Sequence, residues 1–174
     1  NFNELRFVIN MHLAFGFKEL TYFLYWQPWE PGKACDGYDY TGIITYQGEK
    51  SPVYDRVLRI DKEWKAMGTA YLDYDCEAFI LNNIDDMVAE GMVNAKVAEG
   101  FGSVAAIQSE GKMFTGCFEN AKGGEGYFIV NFDYKSDSVS TAELKLNASK
   151  SVRVWGKGGT EQELQSDSVC VAMG

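Results

Sequence analysis

The sequence is short of the residues that most often build metal and nucleophilic centres. Among its 174 residues there is one histidine, His12, so a histidine-rich metal centre is excluded and a Ser-His-Asp triad would have to use that residue. His12 falls in the middle of a helical pattern, where a structural role suits it. The four cysteines, Cys35, Cys76, Cys117 and Cys170, are widely spaced and form no Cys-x-x-Cys pair, which argues against structural zinc and leaves them as buried or loose thiols. No metal and no cofactor is expected. No apolar run approaches the ~20 residues that cross a bilayer. Sixteen Lys and Arg stand against 25 Asp and Glu, a formal charge of −9. Nucleic acid and anionic membrane, which need clustered cations to displace counterions, are therefore not expected as partners. Asn1 leads straight into an amphipathic pattern without the basic start of a secretory signal, and Ser168 to Gly174 stops just after a strand-like run. Both ends are expected to be cuts in a longer protein.

Aromatic residues, by contrast, are plentiful at 14%, and Trp26, Trp29, Tyr22, Tyr25, Tyr38 and Tyr40 crowd into one window. Ahead of it, Leu5, Val8, Ile9, His12, Leu13 and Phe15 recur at helical spacing. With Asn3 as N-cap and Gly16 as C-cap, they predict a helix from about Glu4 to Phe15. Leu20 to Trp26 is apolar on both alternating faces and is expected to be a buried strand of a parallel sheet. Gln27 to Tyr40, rich in Pro, Gly and Asp, reads as the loop that follows it. Gly42 to Tyr46 is a further strand-like piece. Ser51 and Pro52 then predict a helix start, and Val53, Val57, Ile60, Trp64 and Met67 mark one apolar stripe along that helix.

From about Asp75 the pattern becomes short β-rich runs punctuated by Gly and Ser, with a turn near Asp85 to Val88. Strands are predicted near 77–81, 103–108, 112–118, 126–132, 140–146, 151–155, 161–165 and 168–172, the spacing of an antiparallel sandwich. Gly123-Gly124 and Gly156 to Gly159 read as hairpin connections.

The front of the chain resembles the last βα unit of glycoside hydrolases of clan A, the β-galactosidase-like and related gut-bacterial types. Ala14-Phe15-Gly16-Phe17-Lys18-Glu19-Leu20-Thr21-Tyr22-Phe23 matches the apolar helix, glycine turn and strand eight of that family. Tyr25-Trp26-Gln27-Pro28-Trp29 matches its aromatic loop, and Gly42-Ile43-Ile44, Gly48 and Pro52-Val53-Tyr54 match, in order, a passage before its final barrel helix. Gly116 to Asn120 and Tyr127 to Asn131 resemble steps of the small sandwich such enzymes carry. The resemblance implies an α/β fragment, residues 1–74, made of the last elements of a (β/α)8 TIM barrel, followed over 75–174 by an antiparallel β-sandwich that ends short. The parent would be an O-glycosyl hydrolase of carbohydrate metabolism.

In that family the two catalytic glutamates lie at the ends of strands four and seven, so the resemblance implies that both precede Asn1 and that the chain is inactive alone. The expected partners are a carbohydrate and the remainder of the parent barrel. The expected sugar contacts are Trp26, Gln27 and Trp29: an indole face suits the C–H face of a pyranose, and an amide can hydrogen-bond a hydroxyl. The alternatives are that Trp26 caps a core and that Trp29 packs the loop. Glu30, the carboxylate beside these aromatics, reads as a solvated loop residue before Pro31, and Asp36, Asp39, Asp85 and Asp86 read as turn residues. Asn147-Ala148-Ser149 fits a glycosylation sequon of little weight, and Gly156 to Gly159 lacks the spacing of a phosphate loop. A second function class is a non-catalytic sugar-binding module with Tyr127, Phe128 or Trp155 as platform; a third is a structural brace.

Overall fold

Met113 to Phe118 is buried at six successive positions, so this stretch must be covered on both of its faces. In the computed structural model, which describes residues 2–34, 40–84, 96–135, 139–156 and 161–173, it is the central strand of a sheet. The strands are β1 (Tyr74–Asn82), β2 (Val104–Ser109), β3 (Met113–Asn120), β4 (Glu125–Asn131), β5 (Ser140–Trp155) and β6 (Glu161–Met173). They form two three-stranded sheets of order β1-β3-β4 and β2-β5-β6, with every neighbouring pair antiparallel.

One face of β1-β3-β4 meets the second sheet. Ala78, Ile80 and Cys117 pack there against Val104, Ile107, Ala142 and Leu144. The opposite face carries Phe114 and Val130 and is covered by helix α1 (Phe2–Ala14) through Ala14, with Ile84 alongside. The order is helix, sheet, sheet. Alternation explains it, because Phe114 and Cys117, an odd number of residues apart on β3, point to opposite faces and each face is apolar.

Helix α1 ends where the sequence puts a glycine. Gly16, at φ +87°, donates its N–H to Leu13 O at 2.8 Å, and the Phe17 N–H reaches His12 O at 3.1 Å. These are the two bonds of a Schellman cap, and the Phe17 ring lies 5.3 Å from the His12 imidazole across it. His12 Nδ1 lies 2.7 Å from Val8 O, one turn back, which is a structural role. Helix α2 (Tyr54–Leu72) joins α1 through the Arg6–Glu63 ion pair at 2.9 Å and through Tyr71, whose hydroxyl donates to Leu13 O at 2.7 Å. Pro52 is not its first helical residue: Ser51 forms a turn, accepting the Val53 N–H on Oγ at 3.3 Å and the Tyr54 N–H on its carbonyl at 3.1 Å. Of the expected stripe, Val57 and Ile60 are buried, while Trp64 and Met67 line an open groove of about 230 Å³.

The expected α/β barrel fragment is overturned. Two helices and six strands in two antiparallel sheets make a mostly β structure, with no parallel sheet among the described residues. Leu20 to Trp26 forms no buried strand; it is an irregular segment with one isolated parallel bridge, Trp26 to Ile44. A parallel strand needs neighbours on both sides and helices over both faces, and a single bridge supplies neither. Strands predicted separately at 140–146 and 151–155 are one strand, β5, and those at 161–165 and 168–172 are one strand, β6. The turn expected near Asp85 to Val88 lies outside the described residues, as do Asp36, Asp39 and most of the second glycine run.

Candidate functional site: an exposed aromatic segment

The segment from Tyr22 to Trp29 is held by its backbone while its rings face outward. Ile43 and Ile44 donate to Leu24 O at 3.2 Å and Tyr25 O at 2.7 Å, and Gln27 returns a bond to Ile44 O at 2.8 Å. These contacts draw 42–44 tightly against 24–27. A Cβ on Gly42 would lie 2.5 Å from Gln27 N and 2.9 Å from Trp26 C, so glycine is required by the approach itself. Leu24 adopts φ +64°, an uncommon conformation for a branched side chain. At the base, the Tyr22 hydroxyl donates to Asp61 Oδ1 on α2 at 2.7 Å, and burial followed by the Asp61 carboxylate pushes that phenol well above its ordinary range.

Above this frame Phe23, Tyr25, Trp26 and Trp29 are 81%, 65%, 60% and 40% exposed. Neither indole is buried by the described residues of this chain. Tyr40 sits between Phe23 and Trp29, with ring centroids at 6.0 and 6.5 Å, and steadies the outer end of the cluster. Gln27 is half-buried, and its Nε2 donates to Trp29 O at 3.0 Å. That bond positions the Trp29 backbone and leaves the amide oxygen outside it. The structure therefore brings Trp26, Gln27 and Trp29 onto one short segment. It adds Tyr25 and Tyr40, which belong to the same aromatic window of the sequence but were assigned no sugar contact there.

Glu30 opens a tight turn in which Lys33 N–H reaches Glu30 O at 3.0 Å, with Pro31 second and Gly32 third at φ +76°. This is type II turn chemistry, and the Glu30 side chain is exposed. No cluster of three His, Cys, Asp or Glu side chains suited to a metal ion occurs among the described residues. Nor do the sandwich aromatics make a platform. Tyr127 packs on the inter-sheet core and donates to Phe101 O at 2.7 Å, Phe128 faces the helix layer beside Tyr71, and Trp155 lies under the Arg153 guanidinium.

No family model, no curated protein and no solved structure matches the chain.

Proposed function

We propose that the chain is a non-catalytic part of a glycoside hydrolase, in which Trp26, Gln27 and Trp29 form an aromatic wall against a sugar and the two β-sheets support it. The observation that carries this reading is the outward presentation of Tyr25, Trp26 and Trp29 on a backbone fixed from 42–44. Water is displaced from both the apolar indole face and the C–H face of a pyranose when they stack, and the rigid frame limits the entropy lost. The glycoside hydrolase half of the reading rests on the sequence resemblance of Tyr25 to Trp29 alone, because Leu20 to Trp26 is not the barrel strand that the Ala14 to Phe23 match implied.

Hydrolysis of a glycosidic bond needs two carboxyl groups held about 5–10 Å apart across it. The carboxylate nearest in sequence to the indoles, Glu30, stands in an exposed turn; that the catalytic pair lies outside this chain, which would then contribute binding alone, is what the resemblance implies. An open surface with few hydrogen bonds favours weak binding, with Kd near about 1 mM. Titrating the chain with neutral oligosaccharides by calorimetry, and assaying aryl glycosides with this chain and an N-terminally extended one, tests the reading. Saturable binding without turnover by the short chain supports it. Turnover by the short chain overturns the non-catalytic half, and absence of binding to a broad panel overturns the other.

A further inference from the structure

The two sheets are joined at one end by a polar node that the sugar reading does not use. Its centre is Glu125, the first residue of β4. One carboxylate oxygen accepts the Ser103 N–H at 2.7 Å and the Tyr127 hydroxyl at 3.0 Å, and the other accepts the Ser103 hydroxyl at 3.0 Å. Lys150 of β5 donates to Ser103 Oγ from the second sheet. The 101–103 turn is thereby gripped from both sides. The single Tyr127 hydroxyl hydrogen is shared between Glu125 and Phe101 O, the latter 2.7 Å away, while Asn147 of β5 donates to Ser103 O at 2.9 Å and, through Nδ2, to Gly102 O at 3.2 Å. The fit is tight: a Cβ on Gly102, at φ +52°, would lie 2.5 Å from the Glu125 carboxyl carbon.

This junction coincides with two irregularities in the second sheet. The β5–β6 register shifts between Lys145 and Lys150, and β2 pairs with β5 no further along than Leu146. Beyond Lys150 the two strands pair, among the described residues, with each other alone, as a two-stranded ribbon from Lys150 to Trp155 and from Glu161 to Ser166. A two-stranded ribbon has little stability of its own. The node is what fixes its root to the first sheet.

We propose that Glu125 is an acid-released clasp: its carboxylate locks the 101–103 turn and the root of the β5–β6 ribbon to the first sheet, and protonation frees both while the β1-β3-β4 sheet stays folded. The charged groups around it act in opposite directions. Lys150 favours the carboxylate, whereas Glu119, directly across β3 from Glu125, and Asp75, directly across β1 from Glu119, disfavour it. Burial also pushes the Glu125 carboxyl up, but the Ser103 and Tyr127 donors with Lys150 outweigh it and hold the group below its ordinary value of 4.5. The clasped form thus binds the proton less readily than the open form. The clasp is complete above about pH 4.5 and is lost as pH falls through the lowered value.

Native-state hydrogen exchange of the whole chain, corrected for intrinsic rates, tests this between pH 7 and pH 3.5. The amides of Ser103 and Asn147 should lose protection on acidification while those of Phe114 and Thr115 keep theirs, the loss being at most about tenfold one pH unit below the ordinary carboxyl value of 4.5. Glu125→Gln, which keeps the shape and removes the charge, should show the low protection already at pH 7 and little further change. Ser103→Ala, which removes one donor, should move the release to higher pH. Uniform loss of protection in all strands, or a Glu125→Gln or Ser103→Ala profile that follows the wild type, overturns the clasp.

Discussion

Gly116 in the central strand lies directly under Ala14, the last residue of α1: a Cβ built at Gly116 would stand 2.0 Å from the Ala14 carbonyl oxygen. Helix and sheet meet here through bare backbone, and this contact sets how closely α1 seats on Phe114 and Val130. Gly116→Ala must push the helix end away. We expect a loss of about 3 kcal/mol from this overpacking, read as a lower urea midpoint, with Gly126→Ala as a milder control because its nearest neighbour atom would be 3.4 Å away. Equal effects of the two substitutions would show that α1 does not seat as described.

Thr115, the next residue back, faces the inter-sheet core fully buried, and its hydroxyl has no hydrogen-bond partner among the described residues. The group pays its desolvation without return. Thr115→Val keeps the shape and should raise stability by about 1 kcal/mol in chemical denaturation. A loss of stability would mean that the hydroxyl is satisfied in solution.

Arg6 and Glu63 tie α1 to α2, with both side chains largely buried, and the second cation near Glu63, Arg59, is 3.9 Å away. Removing the closer partner with Arg6→Met should leave a poorly compensated carboxylate and cost about 2–3 kcal/mol. The reverse change, Glu63→Met, leaves a guanidinium that is less buried than the carboxylate and should cost less. Comparing the two unfolding midpoints checks the ordering.

Thiol chemistry should separate the described cysteines. Burial, with a smaller contribution from Cys76, pushes the Cys117 thiol up to about 12, and burial pushes Cys76 up as well, whereas Cys170 is exposed. At pH 8 iodoacetamide should modify Cys170 within minutes and leave Cys117 untouched until the chain unfolds. The same displacement fixes a pH dependence. An acid whose value is raised by folding contributes fully below its unfolded value, 9.0 for a thiol, so stability should fall as pH rises above about 9. An urea midpoint unchanged between pH 8 and pH 11 would contradict this.

The back of the chain was largely legible because its signals are local. β-rich runs between turn residues marked β3 and β4, although 126–132 read as the central strand and it is β3 that lies in the centre; Gly123-Gly124 marked their hairpin, and the strand starts expected at 77 and 103 fall within three residues of β1 and β2. Turn-prone residues misled where a strand absorbs them. Asn147-Ala148-Ser149 looked like a break but sits in the register shift of β5, and Asp167 lies opposite it in the same shift, where the Ser168 N–H bonds to Ser166 Oγ at 3.1 Å. The front was harder. Leu20 to Trp26 is apolar enough for a buried strand, but an apolar run says that cover is favourable without saying what provides it, and here the rings are exposed. Trp26 and Trp29 were visible as residue types; their common segment depends on the 24–27 to 42–44 contacts, which Gly42 permits and no periodicity announces.

The four tryptophans, Trp26, Trp29, Trp64 and Trp155, make the central claim directly measurable, because each contributes one indole N–H resonance in a proton–nitrogen correlation spectrum. Assigned by single Trp→Phe substitutions and titrated with neutral oligosaccharides, the Trp26 and Trp29 signals should move together along one saturable curve while those of Trp64, on the α2 groove, and Trp155, on the β5–β6 ribbon, stay still. Movement of Trp155 or Trp64 with Trp26 and Trp29 unmoved would contradict the account and place the sugar elsewhere on the molecule.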